Sequence, residues 1–300
     1  MHTRAQFFWR VWLLSLALYV LAPGGPAAAE HAQWEVTIAV RITGGTRERV
    51  RVRLALPTDG PARRVGDLKV ISRGLTAEVQ RGDEPYILFS GRVRTARRVA
   101  VTFVLDSTST EEKLPAVGPL TDPPPDLLPF LGAAPLFQAR SILVREFLET
   151  QVGPVLKKGT APFLESIFDA TRRELAWHRD GKSLALDVIR ARGGKRIGIE
   201  RAFTTFLRCA GIPARFVEGL DLKSRTRKKR VFWTEVWAQD TWWPLSASKG
   251  WIGRMPRSYV ALARNGTRVF EVDGPATTSY AVFSQPRREE LAAVRSLALR

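Results

Sequence analysis

The apolar residues of this chain change their spacing at a proline-rich stretch, and this change limits the folds that the chain can adopt. Over 31–110 apolar and polar residues alternate, as at Trp34, Val36 and Ile38. Such alternation, interrupted by glycines, predicts short antiparallel strands that form a β-sandwich. Residues 115–135 contain seven prolines and are predicted to form an extended connector. After the connector apolar residues recur at helical spacing, which predicts a mixed α+β second half.

The second half is predicted to contain helices first and strands later. Its helices are expected at 136–151, 161–177, 183–192 and 196–210, its strands at 214–220, 230–239, 241–246 and 267–272, and a polar helix after Pro286. We therefore predict an α+β protein in which an antiparallel sandwich precedes an α+β core.

The first 29 residues are typical of a secretory signal peptide. Arg4 and Arg10 precede an apolar segment, Val11–Ala22, and small residues follow up to Ala29. This pattern predicts cleavage after Ala29 and export to the periplasm or the exterior. An uncleaved N-terminal membrane anchor is the alternative, but the apolar segment is shorter than the roughly 20 residues that a spanning helix needs.

The charge of the chain points to anionic partners. Its net charge is +18, and removal of the signal peptide would leave +16. One cysteine excludes a disulfide framework, and three histidines argue against a multi-ligand metal centre, so no cofactor is predicted. Export argues against genomic nucleic acid as a partner. An anionic peptide, a glycan or a phosphorylated envelope component is expected instead, with an envelope protein or peripheral membrane association as further options.

One stretch of the second half carries a specific motif. A helix ends in the run Phe206-Leu-Arg-Cys-Ala-Gly-Ile-Pro-Ala-Arg215, and the runs Trp233-Thr-Glu-Val-Trp237 and Trp242-Trp-Pro-Leu-Ser246 follow it in order. Over about 160–250 this order resembles the transglutaminase-like superfamily of papain-like cysteine enzymes. The resemblance implies a papain-like core with a cysteine at the start of a helix, a histidine on the next strand and an aspartate on a third.

The positions that the resemblance assigns to this triad carry other residues. They are Arg196 for the cysteine, Val231 for the histidine and Ser246 for the aspartate. Arginine is no nucleophile and valine moves no proton, so we predict a pseudoenzyme of the kind found among exported envelope proteins. Cys209 lies near the far end of the same helix and is interpreted as a packing residue. The alternative is an active cysteine-type peptidase, amidase or transglutaminase with a rearranged site.

The region around the lost triad is strongly basic. Between Asp187 and Arg230 thirteen Lys or Arg residues and four Asp or Glu residues give a net charge of +9. Lys195 and Arg196 stand at a helix N-terminus, which already favours anions. We expect a basic groove that binds an anionic ligand, although a solvated loop tip at 223–230 is the alternative. The predicted ligand-binding residues are Lys195, Arg196, Lys223, Arg225, Arg227, Lys228, Lys229, Arg230 and Trp243.

These observations together predict five segments. They are the signal peptide 1–29, the β-sandwich 30–112, the proline-rich linker 113–135, the transglutaminase-like core 136–286 and the C-terminal helix 287–300.

Overall fold

Strands dominate the fold, and their order follows the alternation seen in the sequence. The computed structural model describes residues 31–44, 49–60, 62–82, 84–108, 114–120, 122–153, 163–224 and 230–287. In chain order the elements are β1 (His31–Thr43), β2 (Arg49–Ala55), β3 (Arg63–Ile71), β4 (Thr76–Gln80), β5 (Tyr86–Arg92), β6 (Arg97–Thr108), a 3-10 helix (Pro125–Phe130), α1 (Ile142–Gln151), α2 (Phe163–Glu174), β7 (Ala176–Trp177), α3 (Ala185–Arg190), β8 (Gly193–Gly194), α4 (Arg196–Cys209), β9 (Ala214–Asp221), β10 (Arg230–Ala238), β11 (Thr241–Ser246), β12 (Trp251–Ile252), β13 (Tyr259–Arg264), β14 (Phe270–Asp273) and β15 (Thr277–Pro286).

The first six strands form the two sheets of the predicted sandwich. One sheet has the order β15-β1-β6-β3 and the other the order β14-β2-β5-β4, and all neighbours in both are antiparallel. Apolar residues from the two sheets, such as Val36, Ile38 and Phe89, share one buried cluster. Burying alternate apolar residues on the inner faces stabilises two sheets packed in this way. The predicted fold class is confirmed.

The last two strands return to the sandwich. Strand β14 pairs with β2, and β15 pairs with β1 along ten residues from Trp34↔Pro286 to Thr43↔Thr277. Residues 270–286 were expected in the core, so the structure differs from the prediction here. Alternation predicts a strand but does not identify the sheet that the strand joins, because the pairing depends on contacts distant in sequence.

A five-stranded antiparallel sheet with the order β12-β11-β10-β9-β13 carries helix α4 on one face. Phe203 and Phe206 of α4 are fully buried, and the ring of Phe206 stacks on Phe147 of α1 with 4.2 Å between centroids. This helix-on-sheet layer is the mixed core that the second half predicted. Helix α1 begins at Ile142, later than expected, and Ala134 and Phe137 before it form an isolated β-bridge.

The sandwich and the central sheet share buried surface. Leu220 of β9 and Val260 and Leu262 of β13 belong to the same apolar cluster as the sandwich strands. Between the two, the proline-rich segment contains a 3-10 helix rather than a wholly extended chain. The predicted signal peptide and residues 288–300 of the predicted C-terminal helix lie outside the described residues. Within the described parts of the chain no helix is both long and apolar enough to cross a membrane.

Candidate functional site

Helix α4 begins directly after a tightly packed pair of glycines. Gly193 and Gly194 pair in parallel with Ala176 and Trp177, and the N–H of Lys195 donates to the carbonyl of Lys182 at 2.8 Å. A Cβ atom on Gly194 would lie 2.5 Å from that same carbonyl oxygen. Glycine is therefore required for the close approach that directs the chain into the helix, whose first residue is Arg196, as predicted.

The N-terminus of α4 has no side-chain cap. Lys195 is the N-cap residue and makes no capping hydrogen bond, and the first turn contains no acidic residue. Helix N-termini usually carry a Ser, Thr, Asp or Asn cap, or an acid in the first turn. Here two exposed cations, Lys195 and Arg196, stand at the positive end of the helix dipole. The arrangement is favourable for an anion from outside the chain.

The basic depression is the open surface next to this helix start. It is lined by Trp177, His178, Arg179, Asp180, Lys182 and Gly193. The guanidinium of Arg196 lies 5.0 Å from the centroid of the Trp177 ring, which connects the helix start to this surface. Trp177 is 53% exposed. Cations and an exposed aromatic ring are thus combined on one surface.

Glu200 lies one turn further along α4 and is fully buried. Its Oε1 accepts hydrogen bonds from the Ser246 hydroxyl at 2.6 Å and from the Ser248 N–H at 2.9 Å, while its Oε2 lies 3.3 Å from the Thr234 hydroxyl. Burial raises the pKa of Glu200, and these hydrogen bonds offset only part of the increase. Glu200 therefore binds a proton in the folded protein more readily than in water. Glu200 was not among the residues predicted for the site, although an acid between Ile199 and Phe203 on the inward face was a visible signal.

Two of the three triad positions are linked through Glu200 of α4, and the third lies on a different face of the sheet. Ser246 is buried and bound to Glu200, which lies four residues after Arg196 on the same side of α4. Thr234 of β10 faces α4, because its hydroxyl contacts Thr204 at 3.0 Å. Alternation along β10 places Val231 on the opposite face, where it packs in a cluster with Trp233. A side chain at position 231 thus points away from the face that contacts α4.

Cys209 is the last residue of α4, about 20 Å along the helix from Arg196. It is half-buried and packs against the apolar cluster of the core. Burial raises the pKa of its thiol, the opposite of what a nucleophilic cysteine needs. Of the two histidines within the described ranges, His31 pairs with Asp106 of the sandwich and His178 lies beside Gly193. Neither forms a cysteine–histidine pair with Cys209.

The predicted basic loop is only partly described. Lys223 is exposed, and Arg225, Arg227, Lys228 and Lys229 lie outside the described residues. Arg230 donates from Nε to Glu218 at 2.5 Å, so its charge is compensated within the protein.

Trp243 of β11 is half-buried rather than placed on the basic surface. Its indole N–H donates to the carbonyl of Ala238 at 3.0 Å, and the ring packs against the core cluster. Among the residues that the structure describes, no group of three His, Cys, Asp or Glu side chains is placed to hold a metal ion.

Comparison with known proteins shows what this part of the chain is similar to. The model of the transglutaminase-like superfamily matches residues 159–247. A crystal structure from Cytophaga hutchinsonii, provisionally named a cysteine protease, is similar with a TM-score of 0.66 and 14% sequence identity over 86% of this chain and 91% of its own. Similarity at this identity shows a shared fold.

A second solved structure, from Parabacteroides distasonis and provisionally named a protease, has 14% identity and a TM-score of 0.27 over 70% of this chain and 43% of its own. No curated protein matches the chain in sequence.

Proposed function

Since the model of the transglutaminase-like superfamily matches residues 159–247, we propose that this chain is an exported, non-catalytic member of that superfamily. In this proposal it binds an anionic peptide, a glycan or a phosphorylated envelope component at the N-terminus of α4. The single observation that supports the proposal most is Arg196, a guanidinium at the first residue of the helix, where the family resemblance places the nucleophile.

The electrostatics of the helix start support anion binding. The free N–H groups of the first turn carry partial positive charge, and neither a side-chain cap nor an acid in that turn neutralises it. Lys195 and Arg196 add two full charges that remain in contact with water. An anion placed here would receive hydrogen bonds from groups that the chain itself does not satisfy.

The basic depression supplies a recognition surface beside that charge. Lys182 and Arg179 add cations, and the exposed ring of Trp177 offers a flat apolar face to a sugar or a peptide side chain. Asp180 is the one acid of this lining, so basic side chains outnumber acidic ones on this surface.

The residues at the three triad positions support the non-catalytic part of the proposal. Arg196, Val231 and Ser246 supply neither a thiol nor an imidazole. Cys209 is remote from the helix start, and its thiol has a raised pKa.

Reversing the charge of Arg196 should weaken anion binding. We expect Arg196→Glu to reduce the affinity of the full chain for a hexaglutamate peptide, or for glucose 1-phosphate, at least about tenfold at low salt, because a charge-assisted contact contributes about 1.5–3 kcal/mol. Titration calorimetry at several salt concentrations measures this, and the wild-type affinity should fall as salt rises.

The matched control is Arg98→Glu, which makes the same charge change at an exposed position of the sandwich strand β6. Equal effects of the two substitutions, or no binding by the wild-type protein at low salt, would contradict the proposal. Capture of an envelope protein that survives high salt would instead favour docking through an apolar surface.

Replacing Cys209 with serine should change neither anion binding nor the absence of peptidase and acyl-transfer activity. We expect Cys209→Ser to bind the hexaglutamate peptide as the wild-type protein does, because the thiol lies at the opposite end of α4. We also expect neither protein to cleave peptides or to transfer acyl groups to amines. A peptidase or acyl-transfer activity that is present in the wild-type protein and lost in Cys209→Ser would establish an enzyme.

A further inference from the structure

A second cavity lies where the sandwich meets the central sheet. We call it the interface cavity; it has a volume of about 280 Å³, and its walls include Thr58, Arg63, Arg215, Trp237, Trp242 and Arg264. Thr58 and Arg63 come from the sandwich, and the other four come from the central sheet. The volume is near the lower end of the range for small-molecule pockets.

The interface cavity is separate from the proposed anion site at α4. Its walls include Glu235 and Trp237 of β10, which alternate with Thr234, the residue that contacts α4. The cavity therefore lies on the face of the central sheet opposite α4. None of the residues that line the basic depression lines the interface cavity.

Arg264 carries a buried donor that the chain does not use. Its side chain is 9% exposed, and its Nη2 donates to the Thr58 hydroxyl at 2.8 Å. Its Nε is buried and has no hydrogen-bond partner among the described residues, with the nearest carboxylate oxygen, Oε2 of Glu235, 3.8 Å away. A buried N–H without a partner is costly, and a ligand acceptor would remove that cost.

Positive charge predominates in the buried part of the cavity wall. Arg63, Arg215 and Arg264 line it, whereas Glu235 is the one acid of the lining that is buried; Asp59 and Asp240 are exposed. Glu235 already accepts a hydrogen bond from Nε of Arg215 at 2.6 Å. Burial lowers the pKa of Arg63 to about 10, which reflects how poorly water reaches this wall. A single negative charge would be well placed here.

Two tryptophan rings form another part of the cavity wall. The rings of Trp237 and Trp242 meet edge to face with centroids 5.3 Å apart, and the Arg215 guanidinium lies 4.1 Å from the centroid of Trp242. Both indoles are half-buried, so part of each ring is available to a ligand. Such a wall packs against an apolar or planar body.

We propose that the interface cavity binds a small molecule with one carboxylate and a compact apolar body. The carboxylate pairs with the guanidinium of Arg264, whose Nε has no partner among the described residues, since a guanidinium matches the planar geometry of a carboxylate. The body lies against Trp237 and Trp242. A dianion is less suitable, because Glu235 lies in the same wall.

Benzoate and its neutral analogue benzamide test this site directly. Titrated into the full chain with ¹⁵N-labelled tryptophan, benzoate should shift the indole resonances of Trp237 and Trp242 saturably. Benzamide should bind at least about tenfold more weakly, because it lacks the charge that the guanidinium recognises.

The variants separate this site from the α4 site. Arg264→Met should weaken benzoate binding at least about tenfold, whereas Arg98→Met and Arg196→Glu should leave it unchanged. If Arg264→Met does not fold, Trp237→Ala decides, with Trp242 as the reporter and an expected loss of about fivefold or more. The proposal is overturned if benzoate gives no saturable shift, if benzamide binds equally well, or if the variants that fold bind as the wild type does.

Discussion

Replacing Glu200 with alanine should lower the free energy of unfolding by about 2–4 kcal/mol at pH 5. The substitution removes the acceptor of the buried Ser246 hydroxyl and of the half-buried Ser248 N–H. It also leaves a cavity beneath α4, which the surrounding residues fill only partly. Urea unfolding of the variant and the wild-type protein measures the difference.

Glutamine at position 200 should have a much smaller effect. Its amide resembles a protonated carboxyl group in shape, its oxygen can accept from Ser246 and Ser248, and its NH₂ can donate to Thr234. Glu200→Gln is therefore the matched control for Glu200→Ala. If the two variants are equally destabilised, the hydrogen bonds that Glu200 accepts are not what stabilises the fold at this position.

The wild-type protein and Glu200→Gln should also differ in how their free energy of unfolding depends on pH. The pKa of Glu200 is raised above its ordinary value of 4.5, chiefly by burial. The stabilisation from binding that proton is complete below the unfolded-state pKa and is lost as the pH rises through the folded-state pKa. Above pH 4.5 the wild-type protein should therefore lose stability relative to Glu200→Gln. An unchanged difference between the two proteins from pH 4 to pH 8 would contradict this assignment.

Replacing Trp233 with alanine should destabilise the protein by about 3–5 kcal/mol, which would abolish folding in a marginally stable chain. Trp233 is fully buried, and its ring packs so closely on Gly219 of β9 that a Cβ atom there would lie 2.6 Å from the indole. Its N–H donates to Glu235 at 3.1 Å. The loss thus combines a large cavity with a broken hydrogen bond to a buried carboxylate.

Trp237→Ala is the control for this substitution. Trp237 lies four residues later on the same face of β10 but is only half-buried, so its loss should cost less than half as much. Thermal and urea unfolding of both variants measures this ratio. Equal destabilisation would mean that the burial of Trp233 is not the cause.

Glu235 of the central sheet and Glu200 of α4 show why the environment decides the state of a buried carboxyl group. Burial alone would raise the pKa of Glu235, but Arg215 and Arg264, together with hydrogen bonds from Arg215 and Trp233, lower it. Glu200 has only hydroxyl and N–H partners, so its pKa stays raised. The sequence lists both residues as acids of the same kind and does not reveal which cations will face them.

Several elements were predictable because their signals are local. Apolar residues at helical spacing over 196–210 predicted helix α4. Strand β13 was missed for a physical reason, since all of its residues are buried and it shows no alternation of apolar and polar residues. Strand β15 was missed as well, because its position at the edge of the sandwich leaves only Val282 buried.

The sequence by itself determined the fold class, the place where α4 begins and the loss of the thiol and imidazole from the triad positions. Each of these depends on residue identity or on spacing within one element. Only the tertiary structure decided that β14 and β15 join the sandwich, that Ser246 meets Glu200, and that Arg264 binds Thr58 in the wall of the interface cavity. These contacts join residues distant along the chain, and a local pattern of polarity is compatible with many such partners.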